Sequence, residues 1–325
     1  MVNYSPPPNG IYVPSVTFFK KDSSADSIYN PPVDLELQLQ YTLFLARNGV
    51  HGVVLFGSTG EAVHISREER SNVISFVRQG LDNEGFSNFP IIAGTASNSA
   101  VETVQLLNDA KTSGAAYALV LAPNFFASLV TQQGLVQWYS EVASRSPLPI
   151  LIYYYPGVSN NINIDISTFE ELSTHPNIVG TKLSHGNISH HTILSQSPTI
   201  QSNNFSVFTG LGQQLLPLTV VGGAGAIDAL AGVFPKSVVR LFNLSAQGNI
   251  KAAQKAQYLV SRAEEVVANF GVIGVKEAVF RVHGWGDRDG SRLPLKGFLG
   301  TKEQEEWTTN YGEAIEDLKK FETSL

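Results

Sequence analysis

The chain has 325 residues, a formal net charge of −6 and no cysteine, with 43% of its residues hydrophobic, enough to fill one barrel-sized core or two ordinary ones. Without cysteine, disulfides, thiolate catalysis and cysteine-ligated metals are excluded, and an acidic balance without a basic run argues against nucleic acid or an anionic membrane surface as a partner. The first ten residues are polar and proline-rich rather than basic then apolar, and no apolar run approaches the roughly 18 residues of a membrane span, so the expectation is a soluble cytoplasmic protein.

Strand-like apolar runs alternate with helix-like stretches along the chain. Residues 11–19 read as a first strand. Residues 34–48 carry helical spacing (Leu35, Leu39, Leu43, Ala46), with Asp34 as N-cap and Gly49 as terminator. A second strand covers 51–56, and Ser66 caps a helix over 67–81. A third strand, 90–95, precedes a helix over 99–113. A fourth, 116–122, precedes a helix over 131–144. The fifth is Pro149-Ile-Leu-Ile-Tyr-Tyr-Tyr-Pro156, followed by a helix over 165–174. The sixth is Ile178-Val-Gly-Thr-Lys-Leu-Ser184, followed by a helix over 187–194. Strands at 205–209 and 225–230 precede helices at 212–221 and 235–246.

Near-continuous apolar strands alternating with amphipathic helices imply a parallel sheet covered on both faces. Eight such units in roughly 240 residues fit an α/β fold of the (β/α)8 TIM-barrel type. The alternative is an open doubly wound sheet, which usually has fewer strands and often a glycine-rich phosphate turn; neither G-x-G-x-x-G nor a P-loop occurs. The barrel is assigned to 1–249. Residues 250–325 form a C-terminal helical extension packed on it, with helices expected at 251–269, 274–282 and 302–320.

Barrel active sites lie at the carboxyl ends of the strands, which selects a short list. Lys182 is a single cation inside an apolar strand, a placement that core packing disfavours. Burial lowers a lysine pKa and frees the amine to attack a carbonyl; the structural alternative is a buried salt bridge. Tyr153 lies one βα step earlier, so the two can be neighbours on adjacent strands. Alternation puts Tyr153 and Tyr155 on one face and Tyr154 on the other. After strand two, Gly57-Ser58-Thr59-Gly60-Glu61 offers backbone N–H groups and two hydroxyls, a nest suited to a carboxylate or an ordinary Gly/Ser turn. Asp228 is a second buried charge that either meets a substrate hydroxyl or bonds to backbone. His64, His175, His185, His190, His191 and His283 show no metal-ligand spacing, although His185 follows the lysine strand and could face the pocket.

Gly57-Ser-Thr-Gly-Glu61, Pro90-Ile-Ile-Ala-Gly-Thr95, Tyr153-Tyr-Tyr-Pro156, Gly180-Thr-Lys182, Thr209-Gly210 and Gly223-Ala-Gly-Ala-Ile227 occur in an order that resembles the dihydrodipicolinate synthase / N-acetylneuraminate lyase family of class I aldolases. The resemblance covers roughly residues 10 to 300. It implies a Schiff base between Lys182 and C2 of pyruvate or another 2-oxo acid, with no cofactor or metal. It implies that Ser58 and Thr59 hold the carboxylate beside Gly57, that Tyr153 shuttles protons through Ser58, and that Gly210 and Ile227 line the pocket. A homotetramer built as a dimer of dimers is the family expectation.

Departures from the pattern point to the substrate. The tyrosine that dihydrodipicolinate synthases donate across the dimer interface is matched by Phe125, and their arginine after the strand-five proline is matched by Val158. Sialic acid lyases place acidic residues after the strand-seven glycine, where Leu211 and Gly212 stand here. These differences favour a 2-keto-3-deoxy sugar acid, cleaved to pyruvate and a neutral aldehyde. The stretches 175–180 and 269–276 resemble the 4-hydroxy-2-oxoglutarate aldolase branch, which is the rival reading. Dihydrodipicolinate synthase-like condensation, a catalytically silent 2-oxo-acid-binding barrel and a metal-dependent barrel lyase complete the alternatives.

Overall fold

Eight parallel strands close into one barrel, each paired with the next in sequence and the last with the first. They are β1 (Gly10–Pro14), β2 (Gly52–Leu55), β3 (Ile91–Thr95), β4 (Tyr117–Leu121), β5 (Ile150–Tyr154), β6 (Ile178–Leu183), β7 (Ser206–Thr209) and β8 (Gly225–Ile227). The structure is a computed structural model and describes residues 4–20, 30–287, 290–295 and 297–325. The expected barrel is therefore present. Among the described residues, no helix is long and apolar enough to cross a membrane.

The helices follow from capping and apolar stripes. Helix α1 (Leu35–Arg47) begins at Asp34, whose side chain accepts from the Leu37 N–H. Helix α2 (Arg67–Asn83) begins in a reciprocal box, Ser66 with Glu69. The outer layer continues with α3 (Ala100–Thr112), α4 (Gln132–Arg145), α5 (Ile166–Ser173) and α6 (Ile188–Gln196). It ends with α7 (Pro198–Ser202), α8 (Leu215–Val220) and α9 (Pro235–Ala246). The short α7 was not anticipated.

Two strands are shorter than their apolar runs suggested. After β1 the chain leaves the barrel wall, and Phe19 forms an isolated bridge with Val33 while the Thr17 hydroxyl donates to the Gly60 carbonyl at 2.7 Å. Residues 15–19 thus brace the loop after β2. β8 ends at Ile227 because the next residue, Asp228, turns its carboxyl to backbone N–H groups.

Side chains divide into an inner and an outer core. Tyr12, Val54, Ile92, Leu119, Leu151, Val179, Phe208 and Ile227 fill the barrel interior, and Tyr12 meets Phe208 edge-on at 5.6 Å. Tyr153 joins this inner set, with Tyr155 packed against it, whereas Tyr154 belongs to the outer core. The alternation read from the sequence is thus observed. Between β5 and β6 the pairing passes from Ile150–Ile178 to Leu151–Gly180, skipping Val179. That one-residue bulge lets Val179 and Lys182, three apart, both face the interior.

The C-terminal extension is joined to the barrel. Helix α10 (Ile250–His283) is interrupted at Gly271 (φ 56°, ψ −142°), between the two helices expected there. Its Gln257 receives the Leu216 N–H and donates to the Gly212 carbonyl, tying it to the loop after β7. Helices α11 (Thr301–Glu306) and α12 (Gly312–Thr323) are joined by a π turn at Trp307–Tyr311, where one helix was expected. Trp307 stacks on Phe270 at 6.0 Å. Glu322 accepts from the Lys236 and Ser237 N–H groups at 3.0 and 2.6 Å, capping α9, whose N-cap Phe234 has no polar side chain.

Candidate active site

Lys182 and Tyr153 are Cα partners across β5 and β6. The lysine side chain is 4% exposed, and its Nζ lies 4.6 Å from the centroid of the Tyr153 ring. Among the described residues, nothing hydrogen-bonds or ion-pairs with that amine. Burial lowers the Lys182 pKa to about 8, against the opposing pull of Asp228. An appreciable neutral fraction therefore exists near physiological pH, as a nucleophilic amine requires.

The Tyr153 hydroxyl lies 2.9 Å from Ser58 Oγ, so a proton has a path out of the barrel toward the loop after β2. Burial pushes the Tyr153 phenol up to about 12, and hydrogen bonding from Ser58 and Ser184 offsets part of that rise. The phenol therefore keeps its proton until a partner takes it.

The loop carrying Ser58 is unusually constrained. Phe56 and Glu61 adopt left-handed backbone conformations (φ 61° and 54°). N–H groups of Gly60, Glu61 and Ala62 turn back to the Gly57 and Ser58 carbonyls. This leaves the Ser58 and Thr59 N–H groups without a backbone partner among the described residues. Gly94 is required beneath it, since a Cβ there would overlap the Phe56 carbonyl. Glu61, buried, is paired with Lys276 of α10, which also donates to the Gly290 carbonyl at 2.7 Å and to Ser291 Oγ at 3.1 Å. Sequence reasoning placed Lys276 in a branch-specific stretch but did not foresee this strut.

A cavity of about 310 Å³ opens over Lys182, lined by Ser58, Thr59, Tyr153, Tyr155, Ser184, Gly210 and Glu264 among others. A second cavity, about 360 Å³, lies on the other side of Ser58 and Tyr153, and Gly57 borders it. Lys182 is the one lysine or arginine lining either cavity among the described residues. Gly210 belongs where it was expected: a Cβ there would overlap Ser184 Oγ and stand 3.0 Å from Lys182 Cε. Val158 lines both cavities on a short turn after β5, with no cation in its place.

Other expected residues sit elsewhere. Ile227 is fully buried in the barrel interior and does not line either cavity. Asp228 accepts from the Gly212 and Ala231 N–H groups at 3.1 and 3.2 Å, the backbone-bonded alternative. Phe125 is 74% exposed and lines neither cavity; Asn98 receives its N–H, and its ring meets Phe126 at 4.9 Å. His185 points away from the site, 3.0 Å from His190 and against the Tyr154 ring. Burial, His191 and His190 hold its pKa down at about 3. Among the described residues, no cluster of three metal-ligating side chains occurs.

Ser184 and Glu264 were missed. Ser184 follows the lysine strand on the parity that faces the site. Glu264 interrupts the apolar stripe of α10 (Ala256, Val260, Ala263), which was its one sequence signal.

Fold and site together define a (β/α)8-barrel enzyme with a lysine-centred site at the carboxyl ends of its strands. Residues 17–310 match the Dihydrodipicolinate synthetase family, and the chain belongs to that family. It is 38% identical to the "Probable 4-hydroxy-2-oxoglutarate aldolase, mitochondrial" of Emericella nidulans, over 86% of this chain and 87% of that protein. It is 33% identical to the "L-threo-3-deoxy-hexylosonate aldolase" of Aspergillus niger, over 99% and 98% of the two chains. Dihydrodipicolinate synthase from Acinetobacter baumannii, crystallised with pyruvate, superposes with a TM-score of 0.84 at 26% identity, covering 97% of this chain and 99% of that one. The protein is an aldolase, a carbon–carbon lyase.

Proposed function

We propose that the protein cleaves a 2-keto-3-deoxy sugar acid, such as L-threo-3-deoxy-hexulosonate, to pyruvate and glyceraldehyde through a Schiff base on Lys182. One observation carries the choice of substrate. Lys182 is the one cation lining the cavities among the described residues. Once its nitrogen is bonded to C2, no lysine or arginine lining the cavities remains among the described residues to hold a second carboxylate, and His64 of the second cavity is taken up by Glu61 at 3.2 Å, which favours a neutral leaving aldehyde.

The geometry supports the following steps. The neutral Lys182 amine adds to C2, and Tyr153 gives its proton to the hydroxyl that leaves as water, giving an iminium and a phenolate. The substrate carboxylate rests on the Ser58 and Thr59 N–H groups and hydroxyls. The C4 hydroxyl passes its proton through Ser58 to the Tyr153 phenolate as the C3–C4 bond breaks, and that bond's electron pair enters the iminium to form an enamine. The aldehyde departs, C3 takes the proton back from Tyr153, and water hydrolyses the iminium to pyruvate and free Lys182, the released proton returning to the Tyr153 phenolate. The iminium is the electron sink, so the scheme uses no cofactor.

A second reading is cleavage of 4-hydroxy-2-oxoglutarate to pyruvate and glyoxylate. It is favoured by the 38% identity to the Emericella protein of that name. Measuring kcat/KM for both acids side by side decides: the sugar acid is expected to be preferred, and a preference for 4-hydroxy-2-oxoglutarate overturns the first reading.

We also propose a homotetramer. Val63, Phe125, Phe126 and Leu129 leave large apolar side chains exposed, each above 60%, which a second copy of the chain would cover.

A further inference from the structure

We infer that Glu264 is the residue that reads the hydroxyl groups on the aldehyde half of the substrate, with Asp228 behind it as the seat of negative charge. The inference rests on the aldolase reading above and names the group that selects a polyhydroxylated, uncharged aldehyde.

Glu264 is 1% exposed, yet it lines the cavity over Lys182. No donor side chain of a described residue reaches either of its oxygens, and its carboxyl neighbour is Asp228, with which it shares a hydrogen bond. A buried polar group without a partner costs stability, on the order of 1–3 kcal/mol, so such groups concentrate where a ligand completes them. Here the cavity is where that partner arrives.

Asp228, by contrast, is already engaged by the Gly212 and Ala231 N–H groups. The two carboxyls converge on Gly212, where a Cβ would stand 3.0 Å from Glu264 Oε2 and 3.1 Å from Asp228 Oδ2. Two N–H donors and the nearby Lys182 favour the charge on Asp228, which leaves the proton on Glu264. Burial, reinforced by Asp228, holds the Glu264 carboxyl well above the ordinary carboxylate range. With its one proton shared with Asp228, the neutral Glu264 carboxyl keeps a carbonyl oxygen on the cavity side to accept from an alcohol. An aldehyde bearing its own carboxylate would meet the Asp228 charge instead.

The test compares two aldols of pyruvate that differ only in the tail. L-threo-3-deoxy-hexulosonate carries hydroxyls on C5 and C6, whereas 4-hydroxy-2-oxohexanoate, the propanal adduct, has none. Glu264→Leu is expected to lower kcat/KM for the first at least about tenfold and for the second less than about threefold. Glu264→Gln, which still donates and accepts, is expected to restore most of the loss. Equal losses on both substrates, or no loss on either, overturn the inference. Pyruvate trapping with borohydride, run on the same proteins, separates the two levels: wild type that forms no Lys182 adduct brings down the aldolase mechanism as well, while an adduct without tail discrimination removes only the role of Glu264.

Discussion

The Lys182 amine lies 4.6 Å from the centroid of the Tyr153 ring, and the Tyr153 hydroxyl lies 2.9 Å from Ser58 Oγ. The amine therefore lies against the ring of the same tyrosine whose hydroxyl begins the proposed proton path. Tyr153→Phe is expected to keep the lysine reactive while cutting the proton path. Turnover should fall by about 10²- to 10⁴-fold, the usual worth of general acid–base catalysis, with pyruvate still trapped on Lys182. Steady-state kinetics and intact mass on the same preparation check both halves.

The pH dependence follows from burial of the amine. With the Lys182 pKa lowered to about 8, kcat/KM should rise with pH as the amine loses its proton around that value. Stability moves the same way. The folded state holds fewer protons on this lysine than the unfolded chain between pH 8 and its ordinary 10.5, so the lysine's contribution to stability improves across that window. Lys182→Met removes the penalty. It should be inactive yet more stable than wild type at pH 7, on the order of 1–3 kcal/mol, with the difference shrinking toward pH 10. Denaturant melts at pH 7 and pH 10 check the sign.

Lys276 and Glu61 form the strut under the loop that carries Ser58 and Thr59. Lys276→Met takes the ammonium partner from buried Glu61 and leaves it only His64 Nδ1 at 3.2 Å, and breaking such a buried pair costs about 3–5 kcal/mol. The loop bearing Ser58 and Thr59 should loosen, raising KM for the 2-oxo acid more than it lowers kcat. Replacing both partners together, Lys276→Met with Glu61→Gln, should recover part of the stability, as a double-mutant cycle would register.

The exposed apolar cluster predicts assembly. Phe125→Asp combined with Leu129→Asp should lower the sedimentation mass of the native oligomer. An unchanged mass would place the contact surface elsewhere.

The barrel was legible because each parallel strand is buried on both faces and so reads as an unbroken apolar run. Lys182 and Tyr153 were legible for the complementary reason, since each interrupts such a run with a group that water prefers. Positions depending on a strand's last residue were not. β8 stops at Ile227, which keeps that residue in the interior and turns Asp228 to backbone N–H groups. For His185 the sequence left the pocket open as one option; it packs on His190 and Tyr154 behind the barrel wall. Glu264 lies far along the chain on α10, and only tertiary packing brings it above Lys182. No local spacing encodes that approach, although a glutamate within an apolar stripe marks an oddity.

The central claim is a carbon–nitrogen bond to Lys182, and trapping measures it directly. The protein is incubated with pyruvate, reduced with borohydride, weighed intact and mapped by peptide. The expected result is a single pyruvate-derived adduct on the peptide containing Lys182, absent from Lys182→Met. No adduct, or an adduct on a different lysine such as Lys276, would contradict the account.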